Sequence, residues 1–300
     1  MNLPFRFGVV LFLSKSNAEW TERCRTAEAL GFDVIAVPDH MGVAAPLPGL
    51  TMAAAVTERV RLGTFVLNTS FYNAVLLARD VAFLDQLSGG RVELGLGAGY
   101  VRSEFDEAGI PFAPAGERMD HLVDTVETVK KLLGEREYRP RVAQPGGPPL
   151  MIPGWGPRGL GIAAEYADIV SLTGIHRWVD SDENGTPRMF LANSTETATK
   201  AGKLRLLLAQ RSKPVEVNML VHRVVGPNER ASLHSELNRL NGRLSVDGTE
   251  RLEEVPTLLI GTPAEMAATV RERRESFGVN YVTVYEADMR KFAPVMELLR

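Results

Sequence analysis

His40 is the best acid–base candidate in this sequence, because it directly follows Asp39 and Pro38, a residue that ends strands. An imidazole titrates near neutral pH, and a neighbouring carboxylate can fix which ring nitrogen carries the proton. Adjacent residues on a strand point to opposite faces, so contact between Asp39 and His40 requires the strand to end by Pro38. Two interpretations of His40 follow: a proton-transfer group, or a structural histidine that is hydrogen-bonded to backbone.

A glycine-rich turn between a predicted strand and a predicted helix is the second candidate for chemistry. No acidic residue ends the next strand, and the turn does not follow the first strand, so a dinucleotide-binding fold is not predicted. Glycines expose backbone N–H groups at a helix start and an arginine adds a bidentate donor, which predicts a bound phosphate group. A tight turn that needs glycine only for its geometry is the alternative. The turn is Gly154-Trp155-Gly156-Pro157-Arg158-Gly159.

The strand that begins at Val92 has glycine at positions 95, 97 and 99, next to Tyr100. Glycine weakens a strand interior, and it often marks a place where a ligand or another backbone approaches closely. One interpretation is that the bare carboxyl end of this strand leaves room for a flat ligand. The other is that the glycines only relieve crowding inside a barrel.

Alternating strands and helices position these residues. Short apolar runs bounded by turn residues predict strands at 5–13, 34–37, 61–69, from 92, 150–152, 169–172, 215–221 and 281–285. Helical spacing of apolar residues predicts a helix in each connection. Eight such units predict an α/β fold, the (β/α)8 TIM barrel, in a single domain over residues 1–300. The stretches at about 174–193 and 226–259 do not fit the repeat, and we expect them to be insertions at the carboxyl-terminal face.

Barrel enzymes place their active sites at the carboxyl ends of the strands, so polar and aromatic residues at those ends are the candidate site residues. They are Asp39, His40, Asn68, Thr69, Tyr100, Trp155, Thr173, His176, Asn218, His222 and Glu286.

Composition excludes several classes of function. A net charge of −3 argues against a nucleic-acid-binding surface. No signal leader or apolar run long enough to cross a bilayer is present, and the single cysteine, Cys24, excludes an intramolecular disulfide, so we expect a cytoplasmic protein without membrane contacts. The five histidines are scattered and metal-binding motifs are absent, so no metal site is expected.

Several motifs together carry a resemblance to a known family. They are the stretch from Leu87 to Tyr100, the helix end at 27–33, Pro38-Asp39-His40, and Ile260-Gly261-Thr262-Pro263. With these motifs the chain resembles the bacterial luciferase-like monooxygenase superfamily over nearly its whole length. Within the superfamily it is most similar to the branch that uses the deazaflavin coenzyme F420.

The resemblance implies a barrel that binds F420, or alternatively FMN, at its carboxyl face and usually forms a homodimer. It places Asp39 and His40 beside the deazaflavin ring, with His40 as the catalytic residue. It puts a non-prolyl cis peptide at Phe65-Val66, against that ring. The turn of Gly154, Trp155 and Gly156 matches the segment that binds the coenzyme phosphate. The other residues assigned to the coenzyme are Asn68, Tyr100 and Arg158.

Two departures from the family's sugar-phosphate dehydrogenases bear on the substrate. Their tryptophan after the histidine is replaced by the stretch 42–44, and their strand-four glutamate falls at Tyr100. The glucose-6-phosphate reaction is therefore not implied. The sequence hypothesis is an F420-dependent oxidoreductase that transfers a hydride to or from a small organic molecule. An FMN-dependent monooxygenase and a non-catalytic flavin-binding protein are the alternatives.

Overall fold

The computed structural model describes residues 3–12, 14–179, 188–233, 244–245 and 252–300. Parallel strands alternate with helices along the chain in the pattern of an eight-stranded βα barrel, so the predicted TIM-barrel fold is confirmed. Contacts within the chain group it into two compact units. We call Gly8–Val170 the N-terminal unit, and Met1–Phe7 with Ser171–Arg300 the C-terminal unit. A single domain over residues 1–300 stays a prediction.

The N-terminal unit contains the first half of the βα repeat, and all of its strand pairs are parallel. Its strands are β1 (Arg6–Val10, from Gly8), β2 (Val34–Val37), β3 (Arg61–Thr64), β4 (Leu67–Asn68), β5 (Val92–Gly97) and β6 (Leu150–Pro153). Its helices are α1 (Asn17–Ala29), α2 (Pro46–Val56), α3 (Ala74–Leu87), α4 (Arg102–Ala108), α5 (Ala115–Gly134) and α6 (Gly156–Tyr166).

The C-terminal unit completes the repeat and holds the extra strands. Its strands are β7 (Ile169–Leu172, from Ser171), β8 (Ile175–Val179), β9 (Arg188–Leu191), β10 (Glu216–Val221), β11 (Arg223–Val225), β12 (Leu244–Ser245), β13 (Leu258–Ile260) and β14 (Tyr281–Tyr285). Among the described residues, its helices are α7 (Ser194–Leu208), α8 (Pro263–Phe277) and α9 (Met289–Leu299). The predicted insertions contain β8, β9 and β12, which form one small sheet, and most of β13, which pairs with β11 in a second small sheet. Residues 180–187, 234–243 and 246–251 of the insertions lie outside the described residues.

Helix starts follow the capping residues that the sequence offers. The Asn73 side chain accepts hydrogen bonds from the first-turn amides of α3, and Thr262 with Glu265 forms a complete capping box at α8. Ser16 caps α1 by accepting from the Glu19 amide. The Ser16 and Glu19 spacing is that of a capping box, but the box is incomplete because the Glu19 carboxylate accepts from the Lys15 amide.

The amino end of β5 is held by two arginine side chains. Arg91 donates hydrogen bonds to Ala54 and Val60 backbone oxygens and to the Thr57 hydroxyl, which ties the end of α2 to the strand. Glu93, inside β5 and 2% exposed, pairs with Arg61 at 2.6 Å. Arg91 and Glu93 therefore have structural roles. The residues that we consider for ligand binding lie at the carboxyl end of the strand.

Candidate functional site

The predicted site residues of the N-terminal unit lie at the carboxyl ends of its strands. Asp39 and His40 follow β2, and Asn68 ends β4. Tyr100 follows β5 and Trp155 follows β6. Because β2 ends at Val37, the turn that follows it frees the side chains of Asp39 and His40 from strand alternation.

His40 has a carboxylate partner, and that partner is Glu104. The His40 Nδ1 and the Glu104 Oε1 are 2.8 Å apart, with the His40 side chain 35% exposed and that of Glu104 15%. A carboxylate at Nδ1 holds a proton on that nitrogen, which leaves Nε2 as the atom that can accept a proton. Sequence reasoning missed Glu104 because only strand-end residues were considered. The available signal was an acidic residue in the first turn of the short helix after β5.

Asp39, the sequence candidate for orienting His40, is bound elsewhere. Its Oδ2 accepts a hydrogen bond from the Asn68 backbone N–H at 2.9 Å, and the Tyr72 hydroxyl donates to the same carboxyl group. Burial raises the pKa of the Asp39 carboxyl group, and these two donors oppose the shift. Burial together with the Asp39 charge raises the pKa of Tyr72. Asp39 therefore joins the end of β4 to the turn after β2.

A row of aromatic rings extends from His40. The Tyr100 ring meets the His40 ring edge-on at 5.9 Å between centroids, and the Trp155 ring meets Tyr100 at 5.4 Å. Burial, with the nearby Glu104 charge, raises the pKa of Tyr100 to about 12. Tyr100 is therefore a neutral phenol at physiological pH and can donate a hydrogen bond beside His40.

The peptide bond between Phe65 and Val66 is cis, as the family resemblance implies, and it separates β3 from β4. The glycines of β5 face this interruption. A Cβ at Gly95 would lie 2.1 Å from the Thr64 carbonyl oxygen, and a Cβ at Gly97 would lie 2.8 Å from the Val66 Cγ2. The space beside these glycines is thus filled by protein, so the interpretation that they leave room for a flat ligand is wrong at both positions.

Threonine hydroxyls replace the backbone ladder where the strand is interrupted. The Thr64 hydroxyl donates to the Gly95 carbonyl at 2.9 Å and accepts from the Gly95 N–H at 2.7 Å. The Thr69 hydroxyl donates to the Gly97 carbonyl at 3.1 Å. Every backbone polar group that a buried strand leaves unpaired costs free energy, so these two side chains stabilise the interruption.

Asn68 is 5% exposed and carries a buried polar atom without a partner. Its Oδ1 accepts from the Ser70 N–H at 3.2 Å, whereas its Nδ2 has no hydrogen-bond partner within the described part of the chain. A Cβ at Gly99 would lie within 2.6 Å of this amide group. Gly99 therefore admits the Asn68 side chain, and a buried amide donor is left for another group.

The glycine-rich turn opens α6 with features that suit an anion. No side chain caps the first turn of α6, so its N–H groups have no side-chain acceptor. Gly156 has a φ of +65°, and no atom lies within 4 Å of the position that its Cβ would occupy. Arg158 was expected to add donors for a phosphate group at this turn. Its guanidinium group instead donates to the Gly116 carbonyl at 2.9 Å and to the Asp120 carboxylate.

A basic rim, which we define as Arg102 and Arg118, lies beside the loop after β5. Both guanidinium groups stack on the Phe112 ring, at 4.8 Å for Arg102 and 4.0 Å for Arg118. The Arg118 Nε also donates to the Gly99 carbonyl at 3.3 Å. Positive charge is thus held next to the carboxyl end of β5.

Two strand-end candidates of the C-terminal unit, Asn218 and His222, are buried. Asn218 is fully buried, and both ends of its side-chain amide have hydrogen-bond partners. Its oxygen accepts from the Ser171 hydroxyl at 2.8 Å, and its nitrogen donates to the Thr283 hydroxyl at 2.8 Å and to the Tyr281 carbonyl at 3.2 Å. His222 is 2% exposed, and burial lowers its pKa to about 4, so it is neutral at physiological pH. The side chain of His176 lies outside the described residues.

The described residues contain no group of three or more His, Cys, Asp or Glu side chains placed to hold a metal ion. None of their helices is both long enough and apolar enough to span a bilayer.

The chain is similar in sequence to one group of known proteins and in fold to several solved structures. It is 39% identical over 120 residues to an F420-dependent glucose-6-phosphate dehydrogenase of Beutenbergia cavernae, which covers 37% of this chain and 35% of that protein. The coenzyme F420-dependent tetrahydromethanopterin reductase of Methanopyrus kandleri is 17% identical, with a TM-score of 0.74 over 99% of this chain and all of that chain. A monooxygenase of Streptomyces bottropensis is 22% identical, with a TM-score of 0.74 over 98% and 97%.

The structural likenesses establish the barrel fold and no more. The chain spans about half the length of the first curated relatives that it matches, 54% in each case. The profile of one family, described as luciferase-like monooxygenase, matches residues 3–205, which is more than half of the chain. The chain therefore belongs to the luciferase-like monooxygenase family of oxidoreductases.

Proposed function

We propose that this protein is a coenzyme F420-dependent oxidoreductase that moves a hydride to or from a small organic substrate. The observation that carries the proposal is the 2.8 Å contact of His40 with Glu104, next to Tyr100 and Trp155 at the carboxyl ends of the strands. An oriented, half-exposed imidazole at this end of a barrel is suited to proton transfer with a bound substrate. Relatives whose names include F420 support the choice of coenzyme.

The described residues fit such a coenzyme in three respects. The uncapped first turn of α6 and the open space at Gly156 suit a phosphate group. The unpartnered Nδ2 of Asn68 can donate to a ring carbonyl. The basic rim of Arg102 and Arg118 suits the carboxylates of a glutamate tail. When bound, F420 would supply a ring carbon that accepts or gives up a hydride.

The chain's own residues handle the proton in this proposal. Glu104 keeps a proton on His40 Nδ1, so Nε2 is free to accept the proton of a substrate hydroxyl, or to return it in the reverse direction. Glu104 also stabilises the imidazolium that forms, because its carboxylate lies beside the new charge. The Tyr100 hydroxyl remains protonated and can orient a substrate oxygen by donating to it.

We expect F420 to bind more tightly than FMN when purified protein is titrated with each, following coenzyme fluorescence. Gly156→Asn should weaken binding of both at least tenfold, because a side chain would occupy the open approach to α6, and asparagine tolerates a φ of +65°. Gly161→Ala is the matched control, since it lies in the same helix with no atom near its Cβ position and should leave both affinities unchanged.

A substitution in the basic rim should distinguish binding of F420 from binding of FMN. Arg102→Gln should weaken F420 binding about fivefold without changing FMN binding, because only F420 has a tail of carboxylates. FMN affinity equal to or above that of F420 would contradict the coenzyme assignment and favour an FMN-dependent monooxygenase.

We also propose that the protein is a homodimer through α3, in accord with the family resemblance. Leu76, Phe83 and Leu87 share one face of α3 and are 51%, 52% and 54% exposed. The adjacent Arg79–Asp80 ion pair can contact its own copy across a two-fold axis, which suits a self-complementary interface.

The oligomeric state tests this face directly. In sedimentation velocity at micromolar concentration we expect a dimer that Phe83→Glu converts to a monomer, because a charge on the apolar stripe would be buried without a partner. Leu206→Glu, on the most exposed leucine of α7, should leave the dimer intact. A monomeric parent protein, or a Phe83→Glu variant that stays dimeric, would show that α3 is not the interface.

A further inference from the structure

The C-terminal unit contains a basic cavity that the proposed reaction does not use. Its volume is about 300 Å³, and it lies among the end of α7, the loop before β10 and the end of α8. Arg211, Lys213 and Arg274 contribute three cationic groups to its lining, and none of the lining residues is acidic. Its apolar wall includes Leu208, Pro214 and Val215.

Arg274 is the anchor of this cavity. Its guanidinium group stacks on the Phe5 ring at 3.2 Å, and its Nε and Nη2 atoms are buried without a hydrogen-bond partner among the described residues. Burial lowers the pKa of Arg274, which reflects the cost of keeping this charge away from water. Buried donors on a charged group are costly when unpaired, so an acceptor at this position would stabilise the protein.

A purely structural role for these cations makes a different prediction. Arginine and lysine are favourable at helix C-termini, where they donate to the last carbonyl oxygens. The Nε and Nη2 of Arg274 donate to no carbonyl of the described chain. These two donors of Arg274 therefore have no acceptor among the described residues.

We propose that this cavity binds a small organic oxyanion, a carboxylate or phosphate group with a short apolar body. Arg274 would have to turn its buried Nε and Nη2 toward the cavity, where its guanidinium matches both groups in a bidentate manner. Lys213 and Arg211 add positive charge, and the apolar body packs on Leu208, Pro214 and Val215. A cavity of about 300 Å³ is at the small end of ligand sites, which limits the ligand to a small molecule.

Amide-resolved NMR of the deuterated full-length protein, without coenzyme, tests the proposal. Inorganic phosphate and butyrate are titrated separately, and we expect saturable shifts of the Lys213, Val215 and Gly278 amides with at least one of them. Tighter binding of phosphate than of butyrate would identify a phosphate ligand, and tighter binding of butyrate would identify a carboxylate with an apolar body. Arg274→Gln should weaken the binding at least tenfold.

Lys213→Gln provides a second test if the Arg274→Gln protein does not fold. Lys213 is exposed, so its replacement should weaken binding about threefold without disturbing the fold. Lys131→Gln is the charge-matched control, an exposed lysine of α5 in the N-terminal unit, and should leave the affinity unchanged. Shifts that do not saturate, or an affinity that is equal in the parent, Arg274→Gln and Lys213→Gln proteins, would show an adventitious ion only. Because coenzyme is absent, this result is independent of the proposed hydride transfer.

Discussion

Replacing His40 by Asn is expected to lower turnover about a hundredfold while coenzyme affinity stays nearly unchanged. The amide can keep a hydrogen bond to Glu104 but cannot accept a proton, so the loss falls on the chemical step. A hundredfold loss corresponds to about 3 kcal/mol of transition-state stabilisation. The measurement is the pre-steady-state change in F420 absorbance, with a substrate first found by screening small organic molecules.

Glu104→Gln separates orientation from proton transfer in the same assay. Its amide oxygen can still accept from His40 Nδ1, but the charge that stabilises the imidazolium is lost, so we expect about a tenfold lower rate and a changed pH profile. If His40→Asn kept the parent's rate and pH profile, His40 would be a positioning residue and Tyr100 the next proton donor to test. If F420 bound to the parent protein but no substrate changed its absorbance, the non-catalytic binding protein would be favoured.

Gly95→Ala is expected to lower the free energy of unfolding by about 3 kcal/mol or more, or to prevent folding. The added Cβ would lie 2.1 Å from the Thr64 carbonyl oxygen, which belongs to backbone and cannot rotate away. Chemical denaturation gives the measurement. Gly134→Ala, at the end of α5 with no atom within 4 Å of its Cβ position, is the control and should change stability by less than about 1 kcal/mol.

Gly97→Ala keeps this test informative if the Gly95 variant does not fold. Its Cβ would lie 2.8 Å from the Val66 Cγ2 and no closer than 3.9 Å to any other neighbour, so removing that methyl group with Val66→Ala should restore part of the lost stability. The same second substitution should not restore Gly95→Ala, because the Thr64 oxygen remains. A Gly95→Ala protein as stable as the Gly134→Ala control would mean that the glycines do not serve the Phe65–Val66 interruption.

The sequence alone determined the features that depend on neighbours a few residues away. Strands β2, β7 and β14 have the predicted bounds because apolar β-branched runs are cut off by polar or turn residues within one or two positions. Asn73 and Thr262 start their helices because a cap acts over three residues. The eight-strand repeat and the family motifs could also be recognised from short stretches of sequence. They placed Asp39, His40, Asn68, Tyr100 and Trp155 at strand ends.

Only the tertiary structure decided which of these residues meet. His40 pairs with a carboxylate 64 residues away, and not with its neighbour Asp39, because α4 returns over the turn after β2. One interpretation of the β5 glycines gave the space beside them to a flat ligand, yet at Gly95 and Gly97 that space is taken by Thr64 and Val66. Arg158 follows a phosphate-type turn but pairs with Asp120 of α5. Partners of this kind depend on strand order and register, which bring together residues that no local pattern connects.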